Sequence, residues 1–205
     1  AMERLEWGHD TSTPHRPQTN GIAERCVRRV KEGTACHLVQ SGFAMVWWTE
    51  AMNLFCFLYN VVDTQIHGKT PYFLRHGEDF DGPIIPFGAE VKYKPSTPAD
   101  VKTLHKTGSK RISGIFAGYD QDEGGKWSGN LLIIDWEQLD NASHASQVNL
   151  RTILHKEVEP IKYANGKFRF PVKEGLVKQP EFEQQKIRNI TKQKSQPAAA
   201  QENND

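Results

Sequence analysis

The sequence predicts an α+β chain built as two helices, a small β-domain and a polar tail. Three observations carry this. Apolar residues recur at helical spacing between Gly21 and Val62, fall into short strand-like runs between Ala89 and Val158, and thin out beyond Lys173 into Lys, Gln, Glu, Asn and Pro. A chain of 205 residues, 37% of them hydrophobic, has room for one ordinary domain or two small ones and is too polar to be core throughout.

Taken in order, residues 1–20 hold Pro14, Pro17, His9, His15 and the Thr11, Ser12, Thr13 cluster, which reads as extended chain running into a turn. With Asn20 as N-cap and Gly42 as stop, the first helix is predicted from Gly21 to about Gln40. Advancing about 100° per residue puts Ile22, Ala23, Cys26, Val27 and Val30 on one arc, the expected buried face. A second helix, Val46 to Val62, carries Trp47, Trp48, Ala51, Leu54, Phe55, Leu58 and Tyr59 at spacings that read as packing around much of its circumference.

Gly68, Pro71, Gly77, Gly82, Pro83 and Pro86 then mark a linker with a short helix at Pro71 to His76 and a domain boundary near residue 83. Beyond it, Ala89, Val91 and Tyr93 alternate with charges. Ile112 to Tyr119, Leu131 to Trp136 and Val148 to Val158 are further strand candidates, with Phe168 and Phe170 as an added edge strand. Four or five short strands suggest a small barrel or sandwich. The expected division is 1–82, 83–172 and a disordered tail over 173–205.

Composition narrows the function. The formal net charge of +1 gives no bulk attraction for nucleic acid, so any electrostatic footprint is local. Cys26, Cys36 and Cys56 form no C-x-x-C pair and are odd in number, which argues against a disulfide scaffold and a zinc ribbon. Neither a run of eighteen apolar residues nor a signal-peptide core is visible, so a soluble, intracellular chain with no membrane partner is expected.

The densest chemistry lies in Pro14 to Lys31, PHRPQTNGIAERCVRRVK. Glu24, Arg28 and Lys31 fall opposite Ile22, Cys26 and Val30, so a carboxylate is placed on the solvent face. Arg16, Arg25, Arg28, Arg29 and Lys31 supply five cations against that one acid, a patch suited to a phosphate backbone. Gln18 and Asn20 add amides, beside the free N–H groups of the first helical turn, that can bond a phosphate or a base edge. The plainer alternative is an i,i+4 salt bridge from Glu24 to Arg28 on a solvated face. One carboxylate can bridge a metal, but a two-metal site needs several.

PQTNGIAER, then FAMVWWTEAMNLFCFLYN, GKTPYFLRHG, FGAEVKYKP and ISGIFAGYD, in that order, resemble the integrase region of a copia-type retrotransposon Pol polyprotein. The resemblance covers roughly residues 12 to 158 and rests on the order of the blocks more than on any one of them. It implies that residues 1–82 are the C-terminal part of an RNase H-like catalytic core and that the following residues are an SH3-like β-domain. It also implies that Glu24 is the third acid of a D,D-E triad serving DNA integration with Mg2+ or Mn2+, in a nuclear setting. Asp10 is too near Glu24 to be the second acid, and His9, His15 and Cys26 do not reproduce an integrase zinc module.

The expectation is therefore a fragment that lacks the central sheet and two of three catalytic carboxylates. It should bind DNA but be inactive alone and hold no metal by itself. Leaving four or five side chains of the Ile22, Cys26 and Val30 face uncovered forfeits at most about 6 to 15 kcal/mol of burial, which predicts self-association or instability unless the second helix folds back over it. The alternative is a non-catalytic protein-interaction module or relic gene product.

Other features read plainly. Lys92, Lys94, Lys102, Lys106, Lys110 and Arg111 against Asp100 are either a second nucleic-acid contact or a solvated hairpin, and the acidic stretch Asp120 to Asp140 could pair with them. His105 and His155 have no ligand partners in the sequence, Ser12, Thr13 and His15 lack a third group for a triad, and Gly124, Gly125 and Gly129 read as turns.

Overall fold

The computed structural model describes residues 21–64, 68–95 and 110–180. Helix α1 runs Gly21–Ser41, a single 3-10 turn follows at Met45–Trp47, and α2 runs Trp48–Val62. The short α3, Pro71–His76, forms where the sequence predicts it. Pro71 opens it, the Thr70 hydroxyl accepts from the Phe73 N–H at 3.1 Å, and Gly77 closes it in the left-handed region at φ 76°.

Five antiparallel strands follow: β1 Glu90–Tyr93, β2 Ile112–Gln121, β3 Trp127–Asp135, β4 Leu150–Leu154 and β5 Val158–Pro160. Their order is β4-β3-β2-β1-β5, a meander whose last strand returns to pair with the first through a 3-10 turn at His155–Glu157. The chain is thus a mixed α+β structure of four helices and one five-stranded antiparallel sheet among the described residues. No helix among them is long and apolar enough to cross a membrane.

The structure departs from the expected strands in three places, one of them Phe168 and Phe170, where Phe168 forms an isolated bridge to Lys162 in place of an edge strand. Trp136 opens a helix, α4 (Trp136–Asn141), because the Asp135 carboxylate accepts from the Gln138 N–H at 2.9 Å. The same carboxylate accepts from the Tyr93 hydroxyl at 2.6 Å, so the cap is buried and tied to β1. The Val148 to Val158 run is broken by the His155–Glu157 turn into β4 and β5.

One hydrophobic cluster runs across the division drawn near residue 83. It joins Leu38, Phe43, Trp47, Leu54 and Phe57 of the helical part to Val91, Tyr93, Phe116, Tyr119 and Leu131 of the sheet. Phe57 stacks on Tyr119 with ring centroids 4.5 Å apart, and the linker residues Ile85 and Phe87 are buried between. Gly88 shows how close the parts come. At φ +77° it leaves 2.3 Å between the place of a side chain and the Ser41 Cβ, so only glycine lets the linker pass the end of α1.

Residues 173–180, placed in the tail by composition, also pack. Val177 and Pro180 are buried, and the Gln179 side chain donates to the Gly42 carbonyl at 2.8 Å and accepts from the Ala44 N–H at 2.9 Å. Val172 and Val177 supply the apolar anchor that the charged residues around them obscure in the sequence. The rest of the tail lies outside the described residues.

Candidate nucleic-acid interface on the first helix

The two ends of α1 have different surroundings. Thr34, Leu38 and Ser41 are buried, whereas every residue from Ile22 to Arg29 is exposed. The contact with α2 begins at Arg29, whose guanidinium donates to the Tyr59 hydroxyl and lies 5.3 Å from that ring's centre. One turn on, Gly33 sits against the Phe55 ring so closely that a Cβ there would lie 2.1 Å from it. Tyr59 is one turn short of the end of α2, so the turns of α1 before Arg29 have no helix beside them among the described residues.

The arc expected to be buried is therefore open. Ile22 is 74% exposed, Val27 is 53% exposed, Cys26 is exposed and Val30 is half-buried. The second helix does not fold back over them, because its apolar stripe of Ala51, Leu54 and Phe57, continued by Trp47, is taken up by the sheet core. Trp48, read as packing, is 49% exposed and helps line a groove of about 690 Å³ with Cys26, Val27, Val30, Leu38, Met45 and Met52.

Of the residues singled out for function, Glu24, Arg25, Arg28, Arg29 and Lys31 all lie exposed on this helix. Arg16, Gln18 and Asn20 lie outside the described residues, as does Asp10. No ion pair joins Glu24 to Arg28, so the salt bridge of the plainer reading is not formed and the carboxylate stands in the first turn, where the helix dipole favours it. Arg29 is committed to Tyr59, which leaves Arg25, Arg28 and Lys31, among the described residues, as the cations of the patch free to meet a ligand. Lys31 also borders the groove.

Among the described residues, no group of three or more His, Cys, Asp or Glu is placed to hold a metal ion. His37 lies between the helices, edge-on to Phe55 with centroids 5.8 Å apart and its Nδ1 buried without a partner. Burial lowers its pKa, against a smaller opposing contribution from the nearby Ala51 backbone.

The structure describes only the flanks of the basic loop. Its flanks turn to the β5 end of the sheet, Lys94 pairing with Glu157 at 3.7 Å and Arg111 with Glu159 at 2.9 Å, while Lys126 of the acidic stretch pairs with Glu78. Residues 96–109 lie outside the described part. His155 packs on Trp127 with centroids 5.0 Å apart and its Nδ1 is 2.9 Å from the Gly129 carbonyl, a packing role.

Sequence reasoning missed the hairpin at Lys162 to Phe168, whose Asn165-Gly166 turn is the short-range signal that would have found it. No protein-family model matches the chain, and no curated protein matches it.

Proposed function

We propose that the chain is part of a copia-type retrotransposon integrase, contributing the helix of the third acid and the trailing SH3-like β-domain, and that it binds DNA through α1. The observation that carries the reading is the exposed first half of that helix. A solvent-facing carboxylate at Glu24 flanked by Arg25, Arg28 and Lys31 continues directly into an open apolar arc. In an intact relative that arc is the face laid on the RNase H-like sheet, and the polar side meets DNA. The five-stranded meander, with β5 returned to β1 by a one-turn helix, supports the SH3-like reading of the second part.

The described residues do not fit a divalent metal pair, since Glu24 has no converging acids, and no catalytic step is assigned to this chain. Its role is to bind and orient: cations set against phosphates, and an acid held on a rigid helix for a site completed by other residues. A nuclear location is part of the same integrase reading. A second reading, a non-catalytic protein-interaction module, is favoured by the groove beside Trp48, which is apolar and sized for a partner side-chain row.

A salt titration separates the two. Binding of the purified chain to duplex DNA should weaken steeply with salt, and Arg25→Ala with Arg28→Ala together should lower the slope of log K against log salt by about 1.8. A slope that is flat in the unsubstituted chain contradicts the DNA reading and favours the protein partner. With Mg2+ or Mn2+ the chain alone should show no strand transfer, and activity abolished by Glu24→Gln would contradict the absence of a complete site.

A further inference from the structure

A second cationic surface lies beside the last turn of α1, where Gln40 borders it. Residues 161–170 turn back on themselves: Lys162 bridges Phe168, the Tyr163 N–H donates to the Lys167 carbonyl at 2.8 Å, and Gly166 takes the left-handed position at φ 79°. The hairpin and the chain after it border an open cleft of about 680 Å³ lined by Gln40, Tyr163, Lys167, Phe168, Lys173 and Glu174, among others. Tyr163 is 44% exposed and Phe168 half-buried.

Two kinds of group converge there. Lys167 and Lys173 line the cleft, Lys162 lies on the same hairpin outside the lining, and all three are exposed and form no ion pair among the described residues. The rings are already used as cation platforms, Lys162 lying 4.6 Å from the Phe168 centre and Arg169 5.6 Å from that of Tyr163. The one acid in the lining, Glu174, is held in place by the Phe170 N–H at 3.0 Å and by the Tyr163 hydroxyl, which lowers its pKa and raises that of Tyr163.

We propose that this cleft binds single-stranded nucleic acid, with bases stacked on Tyr163 and Phe168 and phosphates met by Lys167 and Lys173. Stacking on a side chain needs a splayed base, which a duplex does not present, while lysines tracking a backbone are indifferent to sequence. The site is separate from the exposed first half of α1 and stands whether or not the integrase reading holds.

The test uses the full chain and a fluorescein-labelled oligothymidylate of about twelve nucleotides, followed by anisotropy across a salt series. Lys167→Ala with Lys173→Ala should lower the salt slope by about 1.4. Tyr163→Ala should weaken binding about fivefold or more, with Tyr163→Phe retaining it. Glu174→Gln, which keeps an acceptor for the Phe170 N–H, should tighten it. Arg25→Ala with Arg28→Ala should weaken duplex binding more than oligothymidylate binding, and Lys167→Ala with Lys173→Ala the reverse, so the two surfaces fail separately. The proposal is overturned if the lysine pair binds the oligothymidylate like the unsubstituted chain, or if an acidic peptide of equal charge competes as well as the oligonucleotide. Both lysines are on the surface, so circular dichroism should show these variants folded.

Discussion

The two halves of α1 make the most instructive comparison in the molecule. They belong to one uninterrupted helix and carry the same kind of apolar period, yet Leu38 is buried and Ile22 stands in water. The difference is tertiary. From Arg29 onward the helix has α2 beside it, with Tyr59, Phe55 and Ala51 in turn facing Arg29, Gly33 and His37. Before Arg29 nothing among the described residues covers it. A helical period therefore records that one side of a helix is made to be covered, and leaves open whether this chain supplies the cover.

The largest expected effect follows from that contrast. Leu54→Ala, at the junction of α2 and the sheet, should cost about 2 to 5 kcal/mol in denaturant unfolding. Ile22→Ala should change stability by less than about 0.5 kcal/mol. Equal losses at the two sites would break the comparison. Next comes Gly33→Ala, which must push the Phe55 ring aside and should destabilise by about 1 to 3 kcal/mol.

The pH dependence of stability sharpens the same boundary. His37 has a folded pKa below its ordinary 6.5, so the neutral form is the one the helix pair holds. The stability it contributes is complete above pH 6.5 and is lost as pH falls from there through the lowered folded value. His37→Leu should flatten the unfolding free energy over that window. An unchanged profile would place His37 outside the packed half. Smallest in stability is Ile22→Lys with Val27→Lys, which should leave unfolding within about 0.5 kcal/mol while reducing self-association and ANS binding. A parent chain that is monomeric and binds no dye would contradict an open apolar arc.

Much of the architecture is legible in the residues because it is local. The 3.6 period set α1 and α2, and Thr70, Pro71 and Gly77 set α3 by capping chemistry alone. Asp135 followed by Gln138 carried a similar cap signal, overlooked because Leu131 to Trp136 reads as one strand. What was not legible depends on distant partners. Ile85 and Phe87 sit among prolines and glycines and read as linker, but they fill the gap between α2 and the sheet. Val172 and Val177 are buried for the same reason, by neighbours far away in sequence. At the candidate site, the sequence placed Glu24 on a solvent face and grouped five cations about it. That Arg29 belongs to Tyr59 and so leaves the patch depends on a residue thirty positions away.

Amide hydrogen exchange along α1 tests the central claim, that its first half is a surface awaiting a counterpart and its second half is part of the core. Exchange at Cys26 to Arg29 should be faster than at Leu38 to Ser41 by orders of magnitude, as expected for a helix whose opening at one end leaves the core intact. Protection at Cys26 to Arg29 equal to that at Leu38 to Ser41 would contradict it.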